Sequence, residues 1–345
     1  MLKEFLSLNS GKIVFECQNS TTFDKLPGQV RVVITEFNDS IRIFHTERLT
    51  PNGCGNKDFK LSENLLRIRA SGARSVLTFG GAWSNHLHAF ALACERYQLA
   101  AVAVVRGEEG ASNELLQHGV RHGLRVHYVS RADYRLRHDQ LYVKSLCEQF
   151  GCDEWLPEGG SNLTAVNSCR RIAELINSHC VDEPTHIVLA VGTGATLAGV
   201  VAGASDEQSV VGVPVVQDAS ISQRISAWLD ASASSAGAQW RLLDTAKPAR
   251  YGKADQELLQ FVLDTHHRTG VVLDPVYNGK AFRALLACGL DSDYDSDGLR
   301  NRIVFVHTGG LGGCLGWVEK LHHSRDHSLV EHYLTGARAI LGLPG

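Results

Sequence analysis

From residue 75 onward the chain alternates apolar runs with amphipathic stretches. Strand-like runs stand at 75–79, 99–105 (LAAVAVV) and 124–129 (LRVHYV), with helical patterns at 84–97, 111–122 and 133–149 between and after them. A second alternation opens with a helix at 165–177, broken at Ser178-His179. It continues with strands at 186–191 (HIVLAV), 209–216, 239–243 and 302–307 (RIVFVH) and helices at 196–203, 222–230, 254–266 and 278–288. Apolar runs alternating with helices predict parallel sheets covered by helices. Residues 1–50 hold only short β-like runs, at 12–15, 30–35 and 40–45, and a last helix is expected at 331–341. The expected class is α/β, and 345 residues suit two domains at about 150 residues each.

Composition narrows this little but excludes much. Apolar residues make up 44% and charged residues 21%, as in an ordinary globular chain, and the net charge of −3 leaves no basic footprint for nucleic acid or an anionic membrane. The nine cysteines include no CxxC pair, which reads as reduced thiols in a cytoplasmic protein. The opening MLKEFLSLNSGK lacks the apolar core of a signal peptide, and no run of 18 apolar residues occurs, so a soluble protein is expected.

The chemistry concentrates in turns. Thr78–Ala91, TFGGAWSNHLHAFA, reads as strand, Gly-Gly turn and helix, with Ser84, Asn85 and His86 where a helix start exposes N–H groups to an anion. An ordinary turn with Ser84 as N-cap is the plain alternative. Gly192-Thr193-Gly194-Ala195-Thr196 follows HIVLAV, so glycines, hydroxyls and the helix dipole together form a phosphate cup. Its glycines are spaced GxGxxxxG rather than in the dinucleotide pattern, although Asp218 could then face a ribose, and no Gly-Lys-Ser/Thr of a Walker loop follows. His307–Gly313 holds four glycines in seven positions, expected to lie against a planar ligand or to form a tight crossing. DPVYNGK (274–280) sets Tyr277 and Asn278 at a helix start. Lys57 lies in the Gly-rich PNGCGNKDFK segment, read as a loop ahead of a helix at 60–71. A lysine that can form an imine, a phosphate anchor and dipoles along a ring are what pyridoxal phosphate requires.

These residues resemble the 1-aminocyclopropane-1-carboxylate deaminase / D-cysteine desulfhydrase family of fold type II (tryptophan-synthase-β-like) pyridoxal-phosphate enzymes. The resemblance rests on GNKDFK (55–60), GGAWSNH (80–86), EGGSN (158–162), GTGATLAG (192–199), DPVYNGK (274–280) and HTGG (307–310), in order over residues 55–310. It implies two three-layer α/β domains with twisted, mostly parallel sheets. Residues 1–58 with 164–345 would form a large cofactor-binding domain and 59–163 a smaller one, with the active site in the cleft between them. It further implies that Lys57 is the Schiff-base lysine and that Asn85 bonds the ring hydroxyl. Gly192, Thr193, Gly194, Ala195 and Thr196 would hold the phosphate, and Ser84, Asn85 and His86 the substrate carboxylate, partly through backbone N–H groups. Trp83 would shape the pocket wall. Tyr277 and Tyr251 match active-site tyrosines, and Asn278 and Thr308 fall at the cofactor ring.

Three positions depart from the deaminase pattern. The acid facing the pyridine nitrogen is Asn278, Thr308 stands where leucine is usual, and the KRDD segment appears as His45-Thr46-Glu47-Arg48. The first two favour β-elimination from D-cysteine, giving pyruvate, ammonia and hydrogen sulfide. Ring opening of aminocyclopropane carboxylate to 2-oxobutanoate and ammonia is the alternative, followed by a nicotinamide-dependent dehydrogenase or a non-catalytic cofactor binder. A small amino acid is the expected substrate and a homodimer the expected assembly. His322, His323 and His327 are read as a solvated face rather than a metal site.

Overall fold

A computed structural model describes residues 5–8, 12–17, 30–50, 53–107, 113–180, 184–232, 238–244, 254–292, 301–317 and 327–343. Tyr251, His322 and His323 lie outside the described residues, as does most of the 231–238 segment. The strands in chain order are β1 (Phe5–Leu8), β2 (Lys12–Cys17), β3 (Val30–Glu36), β4 (Ile41–His45), β5 (Ser75–Gly81), β6 (Ala100–Arg106), β7 (Leu124–Val129), β8 (Glu154–Trp155), β9 (His186–Val191), β10 (Ser209–Pro214), β11 (Gln239–Leu242) and β12 (Ile303–His307). The chain divides into two compact units, Met1–Asn56 with Val166–Gly345, and Lys57–Ala165.

In the larger unit, eight described strands form one sheet in the order β1-β2-β3-β4-β12-β9-β10-β11. Pairings from β1 to β4 are antiparallel and those from β4 to β11 parallel. The parallel part is buried on both faces, which is why HIVLAV and IVFVH read as unbroken apolar runs. The helices Ala195–Gly203 and Asn278–Ala287 both pack on β9 and β10, so their N-termini stand near the ends of the sheet's central strands. Parallel register sets His307 opposite His45.

In the smaller unit the sheet runs β7-β6-β5-β8, and every pairing is parallel. Leu77, Phe79, Val102 and Val104 form its core with Tyr134, Val143 and Leu146 from the helical segments. The helix Asn85–Arg96 is the crossover from β5 to β6 and packs on both. No helix among the described residues is long and apolar enough to cross a membrane.

Some boundaries differ from the expectation. The first helix is Asn56–Ala70, so Lys57 is its second residue and not part of a loop. The helix Leu163–His179 runs through Ser178 and His179, whose side chains bond the carbonyls of Glu174 and Leu175. The stretch at 133–149 divides into Arg131–Arg135 and Gln140–Phe150, because Ser130 and Asp139 each cap a new start. The strands β1 and β8 were not foreseen.

Candidate active site

In the larger unit, β9 ends at Gly192-Thr193-Gly194, and Gly194 turns the chain into the helix Ala195–Gly203 with φ 91°. Only glycine takes that left-handed conformation at little cost, and the N–H groups of the first helical turn are left without intrahelical acceptors. Asn56 Nδ2 donates to Thr196 Oγ1 at 2.8 Å. Tyr277 covers the turn, since a Cβ on Gly192 would lie 3.1 Å from its ring.

The DPVYN segment is organised by Asp274. Its carboxylate accepts N–H bonds from Val276, Tyr277 and Asn278 at 2.6–2.9 Å and one from Asn278 Nδ2 at 2.8 Å, capping the helix Asn278–Ala287. Burial pushes its pKa above the ordinary value, and those donors pull it back. The buried Asn278 amide is fully committed. Nδ2 also donates to Gly309 O at 2.6 Å, and Oδ1 accepts from Thr308 N at 3.0 Å and Thr308 Oγ1 at 3.1 Å. A flipped amide would set N–H against N–H and oxygen against oxygen, so the orientation is unique. The Thr308 hydroxyl proton is thereby spent on Asn278, and its lone pairs remain.

Thr308 is the junction of three motifs, because its carbonyl accepts the Asn56 N–H at 3.1 Å. The Gly-rich segment after β12 is a tight crossing: a Cβ on Gly309 would come within 2.9 Å of the Gly55 Cα. Asp218, the residue a ribose would need, is instead taken up by Ser220 and Arg224.

In the smaller unit, Lys57 is half-buried on the first turn of the helix Asn56–Ala70. Lys60 and Asn64 hold the EGGSN turn. Lys60 Nζ donates to Ser161 Oγ at 3.0 Å and Gly159 O at 3.4 Å, and Asn64 exchanges amide bonds with Asn162. Glu158 is held by Arg137 at 2.6 Å and by the Tyr134 hydroxyl at 2.9 Å. EGGSN is thus anchored by residues the sequence did not single out. The i, i+3, i+7 spacing of Lys57, Lys60 and Asn64 was the available signal.

Ser84 is the N-cap of the helix Asn85–Arg96, its Oγ accepting Leu87 N at 3.4 Å. Asn113 fixes the preceding turn by donating to Ala82 O at 2.9 Å. Trp83 is exposed, and Asn85 is half-buried with no side-chain partner among the described residues. Thr78 Oγ1 donates to Leu156 O at 2.9 Å, so in its 2.8 Å contact with His86 Nε2 it must accept. His86 therefore carries its proton on Nε2, and Nδ1 is a buried lone pair with no partner among the described residues. Burial, then the charges of Lys57 and Lys60, hold this imidazole well below its ordinary pKa of 6.5.

Residues 40–309 match the family described as "Pyridoxal-phosphate dependent enzyme". This chain is a member of that family. A Thermotoga maritima protein provisionally named 1-aminocyclopropane-1-carboxylate deaminase is 30% identical, over 78% of this chain and 88% of its own. The mitochondrial bifunctional D-cysteine desulfhydrase/1-aminocyclopropane-1-carboxylate deaminase of Arabidopsis thaliana is 29% identical, over 77% of this chain and 71% of its own. Among solved structures, an ACC deaminase homologue superposes with a TM-score of 0.71 at 26% identity, covering 82% of this chain and 88% of that one. The family's cofactor is pyridoxal 5'-phosphate, and the chain's fold is that of its fold type II members. The residues present fit this group. Taken singly, the Gly194 turn with the first-turn N–H groups after it has the chemistry of a phosphate-dianion site, Lys57 carries an amine able to form an imine, and the Asn85 amide, without a partner among the described residues, is a donor and acceptor of the kind a ring hydroxyl needs.

Proposed function

We propose that this pyridoxal-phosphate enzyme is a lyase of small amino acids whose main reaction is β-elimination from D-cysteine, giving pyruvate, ammonia and hydrogen sulfide. The observation that carries the choice is the committed amide of Asn278, where the deaminase pattern has an acid. When bound, the cofactor supplies an electrophilic carbonyl and an electron-withdrawing ring. A carboxylate at the ring nitrogen would strengthen that withdrawal. A neutral Asn278–Thr308 pair does so less, which suits the expulsion of a good leaving group such as hydrosulfide. The name of the Arabidopsis relative joins both activities, which keeps ring opening of aminocyclopropane carboxylate as the second reading.

Each residue then has a part. The Lys57 amine would hold the cofactor and, when free, would take the proton from the substrate Cα. N–H groups of residues 192–196 would hold the phosphate, Asn85 would bond the ring hydroxyl, and Thr308, oriented by Asn278, would serve the ring nitrogen. The backbone N–H groups of Asn85 and His86, with the Ser84 hydroxyl, receive the substrate carboxylate, because the only imidazole N–H of His86 is spent on Thr78. Tyr277 and Tyr251 flank the substrate, with Trp83 at the pocket wall. The domain assignment (1–58 with 164–345 for the cofactor, 59–163 as the smaller domain), a homodimer and a cytoplasmic location belong to the same proposal. Light scattering tests the dimer.

Lys57→Ala should remove the visible absorbance of protein reconstituted with pyridoxal phosphate and lower turnover by at least about 10²-fold. If absorbance and turnover both survive, the reading is wrong. Parallel assays with D-cysteine, L-cysteine and aminocyclopropane carboxylate decide between the two reactions.

A further inference from the structure

The mechanism leaves unused a buried cluster of ionisable groups at the ends of β4 and β12. Glu47, in the single turn Thr46–Arg48 after β4, is buried. Its Oε1 lies 2.7 Å from His45 Nδ1, and its Oε2 lies 2.8 Å from His307 Nδ1. The two imidazoles stack, with centroids 5.8 Å apart and planes at 22°.

Hydrogen-bond chemistry assigns the protons. His307 Nε2 is 2.8 Å from Val272 O, which can only accept, so that nitrogen carries hydrogen. Its Nδ1 faces two groups, the Glu47 carboxylate at 2.8 Å and the Gly309 N–H, which points at it from 3.2 Å. His45 has the Thr35 hydroxyl at 2.9 Å on its far nitrogen and completes its share as a neutral donor to Glu47. Arg48, with Nε 3.7 Å from Oε1, and Asp274, acting on His307, are the remaining charges that face the cluster. A protonated Nδ1 pairs with the Glu47 anion, and an unprotonated one accepts the Gly309 N–H.

The cluster adjoins the junction residue. Thr46 Oγ1 donates to His307 O at 2.5 Å, and the next residue is Thr308, whose N–H and hydroxyl hold Asn278 and whose carbonyl holds Asn56.

We propose that Glu47 and His307 are a positioning pair for the pyridoxal-phosphate site, their buried ion pair keeping Thr308 turned toward both Asn278 and Asn56. This rests on the functional reading above. Loss of the pair's charge transfers His307 Nδ1 from Glu47 to the Gly309 N–H, and the Thr308 hydroxyl shifts with the backbone.

The test uses full-length protein reconstituted with pyridoxal phosphate. Glu47→Gln should retain stoichiometric cofactor but move its visible absorbance maximum and make that maximum depend on pH between 6 and 9, where wild type is constant. With D-cysteine, kcat should fall at least tenfold while KM changes less than threefold. His307→Gln, which keeps a donor for Val272 O and removes Nδ1, should give the same spectrum, and the double variant should be no worse than either single. Glu47→Asp should recover most of the wild-type spectrum. An unchanged spectrum and kcat in both single variants, with only the unfolding midpoint lowered, overturns the proposal. If neither variant folds, histidine NMR of wild type decides: a neutral His307 at pH 7 overturns the pair, and a doubly protonated one supports it. Wild type that takes up no visible absorbance at all defeats the functional reading instead.

Discussion

Asn278→Asp would install the acid that the deaminase pattern carries, and the structure says it will not act as one. The substitution replaces Nδ2 by a second carboxylate oxygen at a point 2.8 Å from Asp274 Oδ1 and 2.6 Å from Gly309 O. Of the two Nδ2 hydrogen bonds only one can be replaced, by a retained carboxyl proton, and the other acceptor is left buried without its donor, at about 1–3 kcal/mol. Two buried carboxylates at that separation cannot both ionise, so one must retain a proton at neutral pH. The expected destabilisation is about 3–5 kcal/mol at pH 7. Its pH dependence has a definite sign. The native pKa of the new carboxyl lies above its unfolded value of about 3.9, so the unfolded state holds fewer protons and the variant's deficit grows as pH rises. Urea unfolding of wild type and variant at pH 5.5 and 8 measures both quantities. A variant as stable as wild type at pH 8, or a deficit that grows toward pH 5.5, would refute the assigned amide orientation.

Two further outcomes are expected. Gly199→Ala would place a Cβ 2.5 Å from Val166 O and against Cys169, so overpacking of about 1–3 kcal/mol should outweigh the gain of about 0.5–1 kcal/mol from removing a helical glycine; a rise in thermal midpoint would contradict it. His88, buried against His118 at 3.0 Å, has its pKa pushed down to about 3 by burial and its histidine neighbours. Its depressed native pKa means stability present above pH 6.5 is lost as pH falls toward 3, about 1.4 kcal/mol by pH 5.5. His88→Gln should abolish that part of the acid loss in denaturant titrations, and an undiminished loss would show that other groups carry it.

The alternating strands and helices were legible because each parallel strand here is a continuous apolar run, a local property. The Gly194 turn into the helix Ala195–Gly203 and the Ser84 cap were legible for the same reason, since a turn's geometry is written in its own residues. The start of the first helix was not. Asn56 N–H is satisfied by Thr308 O, more than 250 residues away, and no local pattern announces that acceptor. The Glu47–His307 pair was invisible on the same ground: HTER read as a departure from a motif, and only strand register brings His45 beside His307. Asn278 was marked by its position, but the saturation of its amide depends on Asp274, Thr308 and Gly309 together.

Asn278-Gly279 is also a dipeptide inclined to age chemically. A flexible Asn-Gly pair loses its side-chain nitrogen when the following backbone nitrogen attacks the amide carbon. Here that nitrogen is tied to Asp274 O at 2.8 Å within a helix start, and the amide is held from four sides. Attack therefore waits for local opening of the segment. Time spent partly unfolded would be recorded at residue 278 as a one-dalton gain in mass. The folded site thus keeps a clock stopped, and stored or heat-stressed protein would accumulate at this position isoaspartate together with aspartate, the residue that the structure is least able to hold.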